Sequence, residues 1–154
     1  MTRARFRAWR FHFPRLSEEE ETHEELKRDE TSNAGLSLST GGGIEMVMDE
    51  ASVRQAILLL LATRPGERVM RPDYGCDLHR LVFSPNDDTT AGLARHYVQR
   101  ALERWEPRIL ILHLDASRVE EEPGRLDVRL EYRVKATQRT EELAFPFSLS
   151  GERI

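Results

Sequence analysis

From Leu126 to Lys135 apolar and charged side chains alternate without a break. Leu126, Val128, Leu130, Tyr132 and Val134 stand against Asp127, Arg129, Glu131, Arg133 and Lys135. Side chains of an extended chain point alternately to opposite faces, so this period of two predicts a strand with one face in a core and one in water. Such a strand needs neighbours and a cover. Leu143, Phe145, Phe147 and Leu149 alternate in the same way and predict a second strand. Pro146 lies inside it and cannot donate to a ladder, which places it at a sheet edge or a bulge. Pro123-Gly124 supplies a turn before the first of these strands. Further upstream, Ile109 to Leu114 is a continuous apolar run with β-branched members, which reads as a buried strand.

The cover comes from two helical patterns. Val53, Ile57, Leu60 and Leu61 recur at helical spacing, and Leu58 and Leu59 widen the apolar face. Asp49 is placed to cap this helix, Glu50 suits its positive start, and Pro65-Gly66 ends it. Leu78, Leu81, Val82 and Phe83 predict a short apolar turn or helix, stopped by Ser84-Pro85-Asn86. A second long helix starts in the cap-rich stretch from Asp87 to Thr90. Leu93, Tyr97, Ala101 and Trp105 form one stripe of it, with Val98 and Leu102 beside, and Pro107 breaks it. The fold class is therefore α+β: two main helices packed on one face of an antiparallel sheet of three or more strands. The other face carries many charges. The proline-containing terminal strand leaves an edge that could accept another chain by strand addition.

A length of 154 residues favours one domain. The first 43 residues differ in composition from the rest. Met1 to Leu16 holds five arginines and no acid, interleaved with Phe6, Trp9, Phe11 and Phe13; Ser17 to Glu30 is carboxylate-rich; Gly41 to Gly43 is a link or tight turn. Residues 1–43 are thus expected to form an arm and residues 44–154 the domain. The arm's arginines could meet nucleic acid, but a net charge of −4 argues against a general nucleic-acid binder. Trp9, Phe11 and Phe13 alternate, which fits a strand docking on the domain or on a partner better. The basic start lacks the apolar core of a secretory signal, and no apolar run reaches the length of a membrane span. Cys76 is the single cysteine, which excludes an intrachain disulfide and agrees with a cytoplasmic location.

Several chemistries can be weighed against these residues. Cys76 and His79 are spaced as two metal ligands, but a structural zinc site needs four, and His12, His23, His96 and His113 are scattered, so no metal is expected. A Cys76 nucleophile would need a base such as His79 or His96; a small buried residue is the simpler reading. No glycine-rich phosphate or dinucleotide motif and no serine-hydrolase elbow occurs, and no cofactor is expected. Carboxylates are plentiful, at Glu67, Asp73, Asp77, Asp87, Asp88, Glu103 and Glu106. A glycosidase needs two at a defined separation, one of them in an apolar setting. Glu106, beside Trp105, is the one candidate, and a salt bridge to an arginine competes with that role. Arg64, Arg68 and Arg71 crowd a loop stiffened by Pro65 and Pro72, which would hold their guanidinium forks for carboxylates within the fold or across an interface.

Three strings in order carry a resemblance: Gln55 to Gly75 with its Arg64-Pro65-Gly66-Glu67-Arg68 core, Leu81-Val82-Phe83 with Pro85-Asn86-Asp87, and Trp105-Glu106-Pro107-Arg108-Ile109. Together they resemble the baseplate wedge, or sheath-initiator, family of contractile phage tails, type VI secretion and phage-tail-like injection particles. The resemblance covers roughly residues 44–149, and Trp9-Arg10-Phe11 is similar to an aromatic segment preceding the domain in some members. It implies a domain like the interlocking, handshake domain of sheath subunits, and a structural, non-enzymatic role. The protein would attach to wedge core subunits and template the first sheath ring, with tube or hub proteins nearby and six copies per particle. It implies attachment through Glu106, Pro107 and Arg108. By the reading of the residues, Arg64, Arg68, Arg71, Trp9, Phe11 and Phe13 are further partner contacts. Nucleic acid and membrane insertion are not expected; the setting is a cytoplasmic particle. Some relatives are named lysozyme-like, so a cell-wall glycosidase using Glu106 is the alternative.

Overall fold

The structure is a computed structural model that describes residues 6–12, 35–36, 41–44, 46–119 and 121–151. In chain order its elements are β1 (Arg7–Trp9), β2 (Phe11–His12), β3 (Gly35–Leu36), β4 (Met46–Met48), α1 (Asp49–Ala62), a 3-10 turn (Asp77–Leu81), α2 (Asp88–Trp105), β5 (Ile109–Arg118), β6 (Arg125–Val134) and β7 (Thr140–Ser148). The chain divides into two compact units, Met1–Ser52 and Val53–Ile154. Within the first, β1 pairs antiparallel with β4 and β2 with β3. The Phe6 N–H donates to Asp49 Oδ1 at 3.2 Å, and the Asp49 N–H donates to the Phe6 carbonyl at 2.9 Å. Asp49 thus joins the start of α1 to the β1 segment.

The second unit is built on an antiparallel sheet of order β5-β6-β7. The alternation that predicted β6 is realised in full. Leu126, Val128, Leu130, Tyr132 and Val134 are all 0% exposed, while Arg129 and Glu131 face solvent. β7 pairs Phe147 with Leu126, Phe145 with Val128 and Leu143 with Leu130, which continues the inner face. At about 1.5–3 kcal/mol for each fully buried large apolar side chain, this two-strand face is the largest block of core in the sheet. β7 is an edge among the described strands, where Pro146 is tolerated. Leu149, just past its end, ties in through its N–H to the Gly124 carbonyl at 2.7 Å.

Two expectations are corrected. Ile109 to Leu114 does not form a buried strand: β5 is the opposite edge among the described strands, Ile109 is buried, but Leu110 is 49% and Leu112 39% exposed. Leu110 stands opposite Arg133 on the outer face by alternation, and Leu112 falls at a register shift between Ile111 and His113. The shift adds one residue to the strand, and the run is shared between two faces instead of lying in one core layer. The buried stripe of α2 is also not Leu93-Tyr97-Ala101-Trp105. Leu93 is 40% exposed, and the buried side chains are Thr90, Ala91, Ala94, Val98, Ala101 and Leu102. The inner stripe thus combines Val98 and Leu102 with small residues, and the rings of Tyr97 and Trp105 lie at its margin.

The buried face of α1 is as expected, with Val53, Ile57, Leu58, Leu60 and Leu61 buried, and the helix ends before Pro65-Gly66, while Asp49 at its start has φ +47° and accepts the Phe6 N–H. Leu78 and Leu81 of the 3-10 turn are buried as well. At the start of α2 the Asp87 side chain accepts the Thr90 N–H at 2.7 Å, an N-cap as the sequence predicts.

Candidate functional site

The Glu106-Pro107-Arg108 corner is assembled from three elements. The Glu106 N–H still donates to Leu102 at the end of α2 (2.9 Å), but Pro107 has no N–H to continue the ladder. The chain turns, and the Arg108 carbonyl accepts the Lys135 N–H at 2.9 Å. Lys135 Nζ donates to the Pro107 carbonyl, also at 2.9 Å. The end of a helix, the start of β5 and the end of β6 therefore fix the corner's backbone.

The side chains close on each other. Arg108 Nε donates to Glu106 Oε1 at 2.6 Å and Arg108 Nη2 donates to Oε2 at 2.7 Å, a bidentate pair. The Glu106 side chain is 6% exposed and that of Arg108 32%. The hydrogen bonding that Arg108 donates to Glu106 raises the Arg108 pKa further, against the opposing effect of burial. The salt bridge that competed with a catalytic role for Glu106 is thus formed. Both carboxylate oxygens accept from the guanidinium fork, whereas a general acid needs one of them to carry a proton toward a substrate.

Tyr74 lies beside this pair. Its ring meets Trp105 at 5.3 Å between centroids, tilted by 59°. Arg68 sits 4.2 Å above the Tyr74 ring and Arg104 4.8 Å above that of Trp105. The Tyr74 hydroxyl pKa is raised, first by burial; Arg68 opposes the shift, Glu106 adds to it and Arg108 opposes it. Arg68 and Arg108 are thereby brought together around one ring. Arg64 and Arg71 are both exposed on the same loop. In the other unit, Trp9 on β1 is 53% exposed and Phe11 on β2 is half-buried; Phe13 lies outside the described residues.

Tyr74 and Lys135 adjoin this candidate corner and were not singled out from the sequence. Gly75 was the available signal for the first. Its φ is +137°, and a Cβ there would sit 2.5 Å from the Thr63 carbonyl oxygen, so only glycine lets the chain pass and places Tyr74 under Trp105. Lys135 gave no signal, because its partner Pro107 is 28 positions away.

The other chemistry has little support in the geometry. Cys76 is buried, its thiol points to the Tyr97 carbonyl at 3.6 Å, and burial pushes its pKa up to about 11. A thiol held neutral in this way is a poor nucleophile. Among the described residues no group of three or more His, Cys, Asp or Glu could hold a metal ion, and no helix is long and apolar enough to cross a membrane. Two cavities of about 210 and 570 Å³ are lined by residues other than Glu106.

Residues 47–139 match the profile of the family described as baseplate wedge protein gp25. The chain is 33% identical over 58 residues to the baseplate wedge protein gp25 of Enterobacteria phage T4, covering 38% of this chain and 44% of the phage protein. The match therefore spans less than half of that relative. A Geobacter sulfurreducens protein bearing the provisional name tail lysozyme superposes with a TM-score of 0.62 at 44% identity, covering 70% of this chain and 99% of that one. A chain of the postcontracted pyocin R2 baseplate gives a TM-score of 0.52 at 30% identity, over 65% of this chain and 98% of its own.

Proposed function

Because the chain belongs to the baseplate wedge protein gp25 family, we propose that it is a structural component of the baseplate of a contractile, phage-tail-like injection machine. It is not an enzyme. It attaches to wedge core subunits, nucleates the first ring of the sheath and is present in six copies per particle. Attachment runs through Glu106, Pro107 and Arg108, with Arg64, Arg68 and Arg71 beside them. Trp9, Phe11 and Phe13 of the N-terminal segment add contacts to a neighbouring subunit. Assembly takes place in the cytoplasm.

The observation that carries this reading is the clamped corner. Glu106 and Arg108 neutralise each other, their geometry is fixed by Pro107 and Lys135, and Arg108 keeps about a third of its side chain at the surface. A pair held in this way gives orientation and partner choice more than raw affinity. Nucleation of sheath fits a strand edge that is open among the described residues. β5 has no proline along its length, and its exposed Leu110 and Leu112 give an added strand apolar side chains to meet.

The test replaces both partners of the corner. The Glu106→Met/Arg108→Met variant should fold, because two apolar side chains of similar length replace a matched pair. Expressed in cells that make the particles, it should be missing from purified baseplates. Normal incorporation would rule out the corner as the attachment point. The provisional name of the Geobacter relative makes one control necessary. Wild-type protein should release no muropeptides from purified cell wall; release that Glu106→Gln abolishes would make the chain a glycosidase.

A further inference from the structure

The loop after α1 is a run of three tight turns, and the middle one is built against the rules of its own geometry. In the first, the Glu67 N–H donates to the Arg64 carbonyl at 3.1 Å, with Pro65 second and Gly66, φ +93°, third. That is the residue choice such a turn calls for, since its third position needs a positive φ. In the second, the Arg71 N–H donates to the Arg68 carbonyl at 3.2 Å, and the residue at the third position, with φ +67°, is Met70. A methionine there is strained where glycine would not be. In the third, the Tyr74 N–H donates to the Arg71 carbonyl at 3.1 Å.

Burial gives no compensation for that strain. Met70 is 93% exposed and its neighbour Val69 is 92% exposed. Nor is the tip loose. The Gly66 N–H donates to the Pro72 carbonyl at 2.7 Å across its base, the Cys76 N–H holds the Thr63 carbonyl at 2.9 Å, and Arg68 is pinned over Tyr74. A rigid turn thus presents two adjacent apolar side chains to solvent, at a conformational cost, with Arg68 and Arg71 as its two ends and exposed Arg64 near its base. Backbone strain without a folding benefit points to a use in recognition.

We infer that Val69 and Met70 are an anchor that inserts into an apolar socket rimmed by carboxylates on a different protein subunit of the same particle. The arginines at the turn select the acidic rim, since a guanidinium fork matches a carboxylate. The apolar pair supplies the affinity, as methionine fills irregular pockets well. Preorganisation limits the ordering entropy lost on docking. This inference rests on the reading of the chain as a baseplate component and adds a contact separate from the Glu106-Arg108 corner.

Two variants of the full-length tagged chain test it in host cells that make the particles. Met70→Gly removes the side chain and relieves the turn. Its melting temperature should equal or exceed that of wild type, while its incorporation into particles falls at least about tenfold, the loss expected from one unburied anchor side chain. A photo-crosslinking residue, Met70→p-benzoylphenylalanine, should attach in purified particles to one subunit other than this chain, at a peptide where apolar residues adjoin Asp or Glu. The inference is overturned if Met70→Gly incorporates like wild type. It is equally overturned if particles carrying the photo-crosslinker give no crosslink, or crosslinks only to a second copy of this chain. Those outcomes leave the baseplate reading intact. Absence of the wild-type chain from all particles would remove both.

Discussion

Arg108 and Glu106 form a pair whose contribution to the fold is measurable apart from the assembly role we propose for it. Losing Arg108 alone leaves a carboxylate that is 95% buried without its fork, because Glu106 is 5% exposed. Breaking one side of a buried pair costs about 3–5 kcal/mol, and the low end applies here because Arg108 keeps a third of its side chain in water. Arg108→Met should therefore lower the melting temperature of the purified protein by several degrees, at roughly 2–4 °C per kcal/mol for a chain of this size. The Glu106→Met/Arg108→Met protein should recover most of that loss. Equal melting temperatures for the single variant and wild type would mean that the pair contributes nothing to the fold. Asp87 gives a pH prediction. Its carboxyl pKa is lowered, mainly by the Thr90 N–H that it accepts. A lowered folded value means stability that is present above the unfolded value near pH 4 and lost as pH falls through the folded value. Asp87→Asn keeps a capping oxygen without the titration, so its melting temperature should fall less than that of wild type between about pH 4 and 2. At this scale the sequence was informative where partners are close along the chain. Asp87 with Thr90 and Glu106 with Arg108 are such pairs, and Lys135 with Pro107 is not.

Elements were legible in proportion to how one-sided their surroundings are. β6 lies in the middle of the sheet with one wet face, so its alternation carried both its type and its orientation. β5 lies at an edge with a register shift, and a continuous apolar run there says strand without saying which side chains are covered. α2 misled for a different reason. Hydrophobicity ranks Leu93 and Trp105 above the alanines, but the buried stripe runs through Ala91, Ala94, Val98, Ala101 and Leu102. Gly75→Ala should cost about 1–3 kcal/mol in backbone strain, and the clash with Thr63 adds to it, so the variant melts well below wild type. A melting temperature within error of wild type would show that the loop relaxes freely. Leu112→Lys on β5 should leave the melting temperature unchanged, since Leu112 is 39% exposed, while blocking addition of sheath to baseplates that contain it. Sheath of normal length on such baseplates would exclude the β5 edge as the nucleating strand.

For the whole molecule, the features with most to say about function lie together at one end of α2 and in the loop that reaches it. Trp105, Tyr74 and Arg68 meet in series, Glu106 and Arg108 pair near Tyr74, and Val69 and Met70 stand exposed. A charge pair closed on itself, rigid turns, an exposed apolar tip and open sheet edges are what a subunit needs when its task is to be held by neighbours. The family was legible from the order of three strings, because those strings specify this loop and this corner, and with it a baseplate setting; which neighbour meets which surface was not, because a surface does not say what covers it. Purification of the tagged full-length chain from host cells shown to be making contractile particles, followed by mass spectrometry and negative-stain microscopy of the eluate, tests the account most directly. Co-purification with wedge, sheath and tube subunits, and tailed particles on the grid, is the predicted result. Recovery of the chain alone from those cells would contradict it.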